Sequence, residues 1–210
     1  MITLLGKSIS RAARCLWALE ESGVEYVHNP LDYTKGEAKT ADFLAINPGA
    51  KIPALVDGDV ALFESLAINL YIAQNYGTGT LWPDDPAGQA LCLQWTLFAA
   101  TEVEPPGAAR LVEFIFKSEA ERSQEAIAAA AERSKPPLNT LETTLQDRPY
   151  LGGARFTVAD LNAACVVEYF IRTNFDLSPW PKVDDWMKRC LSRPAFLAVA
   201  DIKAKEAAGH

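Results

Sequence analysis

Apolar and polar positions change rhythm once along the chain. In the first eighty residues, short apolar runs alternate with stretches of helical period. Ile2 to Leu5 is a brief apolar run closed by Gly6, the mark of a buried strand. Ser10 to Ser22 reads as a helix whose apolar face is Ala12, Cys15, Leu16 and Leu19, with Gly23 as its stop. Glu25 to His28 is a second short strand, and a short helix is expected near Thr40 to Leu44. Ala54 to Val56, Asp57-Gly58-Asp59 and Val60 to Phe63 spell strand, turn and strand, since Asp-Gly between apolar runs signals a hairpin. Ser65 to Tyr76 is a helix with Ser65 as its expected N-cap and Gly77 as its stop. The order is β-α-β-α-β-β-α. A right-handed crossover joins the first two strands, and the hairpin adds antiparallel ones, so a small mixed sheet covered by helices is predicted.

Residues 78–87 are rich in turn formers and read as a linker. Beyond them the strand signals vanish. Helices are expected over Gln89 to Val103, Ala108 to Lys117, Glu119 to Leu145, Thr157 to Arg172, Lys182 to Leu191 and Pro194 to Lys205. Pro105-Pro106-Gly107 must break or kink the first of these, and Pro136-Pro137 predicts a bend in the third. The prediction is a mixed α/β domain at 1–77, a linker at 78–87 and an all-helical domain at 88–210.

Composition narrows the function. The chain has 210 residues, 49% apolar and 22% charged, which is globular composition. Its 27 acidic residues outnumber 20 basic ones, and the net charge of −7 repels nucleic-acid phosphates. No apolar stretch reaches the ~18 residues that a membrane span needs. No signal peptide is expected either, because Met-Ile-Thr-Leu-Leu-Gly is not a basic region leading into a long apolar run. Cys15, Cys92, Cys165 and Cys190 are widely separated, without a CxxC or metal-ligand spacing. Cytoplasmic placement and no metal are the expectations. The two histidines are His28, in a strand, and His210, at the chain end. Ser-His-Asp or Cys-His hydrolysis therefore has almost no base to draw on, and the GxSxG, GxGxxG and P-loop patterns are absent. An enzyme built this way needs a substrate or cosubstrate that brings its own reactivity.

Five segments invite a reading beyond structure. In Asn47 to Leu55, Pro53 stands where a strand begins, and Ile52–Pro53 is either a plain strand entry or a cis turn that aims the Ile52 backbone at a peptide ligand. Glu64-Ser65 is either a simple cap or a pocket in which helix amides and the Ser65 hydroxyl hold a carboxylate while Glu64 meets an ammonium. Arg11 and Arg14 lie in the first turns of the first helix and Glu20 and Glu21 in its last, both against the helix dipole. They are either solvated surface charges or the sign of an anionic ligand. Ser10, with Ser8 before it, is either an N-cap or a hydroxyl that donates to a bound thiolate. Phe156 to Leu161 holds a capping box, Thr157 with Asp160, flanked by a Phe156–Leu161 staple, and its meaning is structural. Trp95, Phe98, Phe114, Phe116 and Phe175 are read as core in preference to cofactor contacts.

Together, Ser10 to Glu21, Asn47 to Leu55, Phe63 to Ile68 and Phe156 to Leu161 resemble the glutathione S-transferase family, in the family's order and spacing and over nearly the whole chain. The wording is nearest to bacterial and fungal serine-type members. It is unlike the cysteine-bearing beta and omega types, because neither Ser8 nor Ser10 is a cysteine. The resemblance implies a thioredoxin-like N-terminal domain, an all-helical C-terminal domain, glutathione as cosubstrate and a homodimer. It also implies that the Ile52 backbone, beside a cis Pro53, pairs with the cysteinyl unit. Glu64 and Ser65 would hold the γ-glutamyl head, Lys39 and Lys51 the glycyl carboxylate, and Ser10 (or its rival Ser8) the sulfur. Pro106, Arg110 and Phe114 of the helical domain would line the electrophile pocket. Where the family carries glycine before the lysine, this chain has Ala50, with Gly49 one place early.

The implied chemistry has a size. A free thiol with pKa ~8.5 is a few per cent thiolate at neutral pH, and lowering it by two units takes ~2.7 kcal/mol of preferential stabilisation. One hydrogen bond to a charged group contributes ~1.5–3 kcal/mol. A serine hydroxyl and a helix N-terminus therefore suffice to make a nucleophile. Two other readings accompany conjugation: a non-catalytic binding or interaction protein on the same fold, and glutathione-dependent reduction of disulfides or peroxides.

Overall fold

A computed structural model describes residues 1–208; His210 lies outside the described residues. The chain divides into two compact units, residues 1–82 with 192–210, and residues 83–191.

The first unit is built on a four-stranded sheet in the order β2-β1-β3-β4, with β1 Ile2–Leu5, β2 Tyr26–Asn29, β3 Ala54–Asp57 and β4 Val60–Phe63. β1 runs parallel to β2 (Ile2 opposite Tyr26) and antiparallel to β3 (Leu4 opposite Leu55), and β3 pairs antiparallel with β4. The helices are α1 Ala12–Ser22, α2 Ala41–Ile46 and α3 Ser65–Tyr76. The mixed sheet and helix order read from the pattern are those observed, a thioredoxin-like arrangement. α1 is apolar on more than one face, with Ala12, Cys15, Leu16, Trp17, Ala18 and Leu19 all buried. It packs against α3 on one side and the last helix, α9 Pro194–Ala207, on another. Gly77 ends α3 for a reason other than the expected left-handed turn. Its φ is −117°, and a Cβ there would come 2.8 Å from Leu81 Cβ and 3.1 Å from the Ala73 carbonyl.

α9 departs from the sequence reading, which placed it within an all-helical domain from residue 88. Here it belongs to the first unit. Arg193 forks onto Glu21 at 2.5 and 2.7 Å, and Phe196 meets Trp17 edge-on at 4.9 Å. Glu21, misplaced for the α1 dipole, is thus half of an ion pair, and Glu20 accepts a 2.6 Å bond from the Tyr26 hydroxyl. For Glu21 the reason is tertiary, since Arg193 lies 172 positions away; Glu20 meets Tyr26, six positions on, across the turn into β2.

The second unit holds α4 Pro86–Phe98, α5 Glu104–Ile115, α6 Gln124–Thr144, α7 Val158–Arg172 and α8 Pro181–Leu191. Among the described residues it contains no strand. The interruption foreseen at Pro105-Pro106-Gly107 falls just before it, as a π turn over Ala99–Val103 closed by the Glu104 amide on the Ala99 carbonyl. Both prolines lack an N–H, so they sit in the first turn of α5, where none is required. Gly107 then packs closely on α7, where a Cβ would meet Tyr169 Cβ at 3.3 Å. α6 runs through Pro136 and Pro137 without ending. α7 is the buried axis of this unit, from Val158 to Phe170. No helix among the described residues is long and apolar enough to cross a membrane, and no cluster of His, Cys, Asp and Glu there is suited to a metal ion.

Candidate active site

The loop from Gly6 to Arg11 joins β1 to α1 and carries both candidate serines. Gly6 has φ 133°, a backbone that L side chains avoid, and a Cβ there would lie 3.0 Å from Ile52 Cβ and 3.3 Å from Ala12 Cβ. Glycine thus lets the loop close against Ile52. The loop is tied down by Gly6 N–H to the Asn29 carbonyl, Lys7 N–H to the Leu31 carbonyl and a 2.7 Å ion pair from Lys7 Nζ to Asp32. Bonding to Lys7 and Thr34 holds the Asp32 carboxyl down at about 2. On the far side, the Ser8 amide donates to both carboxylate oxygens of Glu206, at 3.0 and 3.2 Å.

The two serines differ. Ser8 is fully buried and its hydroxyl has no partner. Ser10 is half-buried; its hydroxyl donates to the Lys7 carbonyl at 2.7 Å and accepts the Ala12 amide at 3.1 Å. α1 itself begins one residue later than an N-cap at Ser10 would require, with Arg11 in the cap position and making no side-chain cap.

The Ile52–Pro53 peptide is cis, as the family resemblance implied. Ile52 lies just before the β3 ladder, which starts at Ala54. The preceding turn is shaped by Asn47, whose side chain bonds the Lys51 carbonyl at 2.6 Å and the Gly49 amide at 2.9 Å. Ala50 adopts φ 52°, the left-handed geometry that glycine takes more readily. Lys51 and Lys39 are both exposed.

At α3 the structure corrects one expectation. Ser65 is the first helical residue, not the N-cap; Glu64 caps the helix with φ 71° and no side-chain bond. Glu64 is exposed and its strained backbone turns it out from the helix start. Ser65 is buried and accepts a 3.3 Å bond from Arg14 Nη1, while its carbonyl receives the Cys15 thiol at 3.5 Å. Arg14 is therefore not a solvated surface charge. It is buried at 5% exposure, with its cation beside the α3 N-terminus. Arg11 is exposed. The structure thus brings together Gly6 to Ser10, Ile52, Arg14 and Glu64-Ser65, and leaves Lys39 and Lys51 on the surface.

In the second unit, Pro106 is buried and Phe114 is half-buried. Arg110, expected in an electrophile pocket, is buried with its guanidinium spent on Thr173, through Nε to Oγ1 at 3.2 Å and Nη2 to the carbonyl at 3.0 Å. It lies over the Phe114 and Phe175 rings at 5.0 and 4.8 Å, a brace within the helices. Trp95 is core, but Phe116 is 69% exposed, against its reading as core, because it follows the end of α5 at Ile115. Val112 and Ile115 are exposed beside it. Val112 and Ile115 were missed by the sequence reading and Phe116 was taken for core; an apolar i, i+3, i+4 stripe is the same signal whether it is covered or bare.

Comparison with known proteins agrees with this geometry. Residues 2–74 match the glutathione S-transferase N-terminal domain and residues 103–194 its C-terminal domain. A glutathione S-transferase of Hyoscyamus muticus is 31% identical over 95% of this chain and 98% of its own length. Glutathione S-transferase F14 of Arabidopsis thaliana is 32% identical over 90% of this chain and 78% of its own. A theta-class glutathione S-transferase from Xanthomonas axonopodis pv. citri, solved with glutathione bound, superposes with a TM-score of 0.86 at 31% identity over 93% of this chain and 94% of its own. The chain belongs to the glutathione S-transferase family. It is a transferase enzyme of the thioredoxin-like, two-unit architecture that defines that family, and glutathione is its thiol substrate.

Proposed function

We propose that Ser10 activates the glutathione thiol and that the first unit holds the tripeptide around it. The carrying observation is the contrast between the serines. Ser10 is within reach of a ligand from solvent, whereas the Ser8 hydroxyl is wholly enclosed. Ile52 offers its backbone to the cysteinyl unit. Arg14 occupies the Ser65 oxygen as donor, which leaves the Ser65 hydroxyl proton to a ligand carboxylate at the positive end of α3. Glu64 meets the γ-glutamyl ammonium, and Lys39 and Lys51 attract the glycyl carboxylate. To serve the sulfur, the Ser10 hydroxyl turns from the Lys7 carbonyl to the thiolate. The thiol proton leaves to solvent. The sulfur lone pair then forms a bond to an electrophilic carbon, whose leaving group departs with its electron pair.

The same reading places a small hydrophobic electrophile on apolar side chains of α5, with Phe114 and Pro106 at the base and Arg110 as the brace behind them. It also includes a cytoplasmic homodimer. Exposed apolar side chains in each unit, Phe63 in the first and Leu93 and Leu97 in the second, support self-association, and light scattering at micromolar concentration tests it. The decisive experiment is the thiolate absorbance of bound glutathione against pH. Ser10→Ala moves the midpoint upward and Ser8→Ala does not. A midpoint unchanged by Ser10→Ala overturns the assignment, and one moved only by Ser8→Ala transfers it to that residue. Turnover of a generic aryl halide separates conjugation from a pure binding role, and a disulfide substrate separates it from reduction.

A further inference from the structure

We infer that Glu206, on the last helix, is a positioning residue for the thiol-activating loop. The inference rests on the role given above to Ser10. It starts from an oddity: a carboxylate near the end of the chain, its side chain only 12% exposed, spends both oxygens on one backbone amide, that of Ser8. The two residues are 198 positions apart. Nothing in local helix chemistry requires the contact, because Glu206 lies at the C-terminal end of α9, where the dipole disfavours an anion. The loop, by contrast, depends on it. Gly6 and Lys7 give their amides to Asn29 and Leu31, and Ser10 gives both amide and hydroxyl to the Lys7 carbonyl. Ser8 stands between these anchors with a buried hydroxyl that bonds to nothing, and its amide is held by the Glu206 carboxylate.

His28 backs the carboxylate. Its Nε2 is 2.9 Å from the Gly6 carbonyl, which can only accept, so that nitrogen is the donor. Its Nδ1 lies 3.5 Å from Glu206 Oε1. The carboxylate thus lies between the ring and the Ser8 amide, and it is the amide that donates to it. α9 is fastened independently at its other end by Arg193 on Glu21 and Phe196 on Trp17. Removing Glu206 thus frees the loop without undocking the helix. The chain of action runs from Glu206 through Ser8 and Lys7 to the direction of the Ser10 hydroxyl.

The test uses Glu206→Ala and Glu206→Gln. Glutamine keeps one oxygen for the Ser8 amide and turns its NH₂ toward the acceptor nitrogen of His28, so it rescues a positional role. Two measurements are made on the full protein. In the first, hydrogen exchange at the Ser8 amide loses roughly tenfold or more of its protection in the alanine variant and keeps most of it in the glutamine variant. In the second, the alanine variant shows a raised thiolate midpoint for bound glutathione and a roughly threefold to tenfold lower kcat. Its KM for glutathione stays within about twofold, and the glutamine variant lies near wild type. A charge effect has the opposite sign, since removing a nearby anion lowers a thiol midpoint. A midpoint that falls, or Ser8 exchange and kcat that both stay at wild-type values in the alanine variant, overturns the proposal. If wild type itself shows no depressed thiolate midpoint, the Ser10 reading fails, and Ser8 exchange still decides whether Glu206 holds the loop.

Discussion

Two helix N-termini in this protein use the same elements for opposite ends. At α7, Thr157 and Asp160 form a complete capping box, and Asp160 goes further: one oxygen takes the Leu151 amide at 2.8 Å and the Trp186 indole at 3.0 Å, the other the Thr157 amide at 3.0 Å. The Thr157, Ala159 and Asp160 amides are thus met from within the chain. At α3 the capping residue Glu64 makes no side-chain cap, its backbone is strained at φ 71°, and a buried arginine is turned toward the first helical hydroxyl. The Arg14 cation and the Ser65 hydroxyl stand together at that end of the helix. A helix start that the chain fills itself anchors the fold; one that it leaves open, at a cost in strain, is suited to a ligand.

The comparison can be broken most severely at Asp160. Asp160→Ala leaves buried donors on Leu151, Thr157 and Trp186 without an acceptor, and should cost about 3–5 kcal/mol. Denaturant titration measures it. Glutathione binding per folded molecule should be unchanged, and a loss of binding beyond the loss of fold would erase the distinction between the two termini. Ser10→Ala comes next, at about 1.5–3 kcal/mol in kcat, roughly tenfold to a hundredfold, with little effect on KM. Because the hydroxyl also accepts the Ala12 amide, about 1 kcal/mol of stability should go with it, so melting temperature must be followed in parallel. Glu64→Ala should then raise KM for glutathione roughly fivefold to tenfold at unchanged kcat. A fall in stability without a change in KM would make α3 merely a poorly capped helix.

The pH dependence sharpens the same contrast. Burial raises the Asp160 carboxyl to about 6, against the hydrogen bonds that pull it down. Between its ordinary value and about 6 the native state holds a proton that the unfolded state has lost. The contribution of Asp160 is therefore full at acidic pH and is eroded as pH rises through about 6. The stability gap between wild type and Asp160→Ala should be larger near pH 5 than near pH 7, a comparison in which the other carboxylates cancel. A gap that widens with pH would mean that the hydrogen bonds outweigh desolvation. The smallest effect is expected at Ala50, whose φ of 52° suits glycine. Ala50→Gly relieves about 1–2 kcal/mol of left-handed strain and gives back about 0.4–1 kcal/mol of chain entropy, for a net gain of between about 0 and 1.6 kcal/mol in denaturant titration.

The sheet, the α3 boundaries and the α7 capping box were legible in the residues because each depends on neighbours within a few positions; the residues alone left Ile52–Pro53 open between a plain strand entry and a cis turn, and only the family resemblance implied cis. Asp-Gly between apolar runs, proline at a strand start and Thr157 three residues before Asp160 are local signals, and local geometry obeyed them. The π turn was displaced from the prolines that cause it, since a missing N–H acts on the turn before it. Ser65 was misread as a cap because serine suits the cap and the first helical position alike, and only the Glu64 backbone settles which one it takes.

Everything that depends on distant partners lay beyond such signals. Arg14 reads as a surface charge until α3 is folded over it, and Glu21 reads as an unfavourable residue until Arg193 arrives from the far end of the chain. The difference between Ser8 and Ser10 is one of burial, two positions apart on one loop, and no pattern of residue types encodes it. Short-range hydrogen bonding and apolar period thus dictated the elements and their order. Long-range packing chose which of the polar side chains would be enclosed, which paired, and which left exposed, because solvent exclusion is a property of the assembled surfaces and not of the chain.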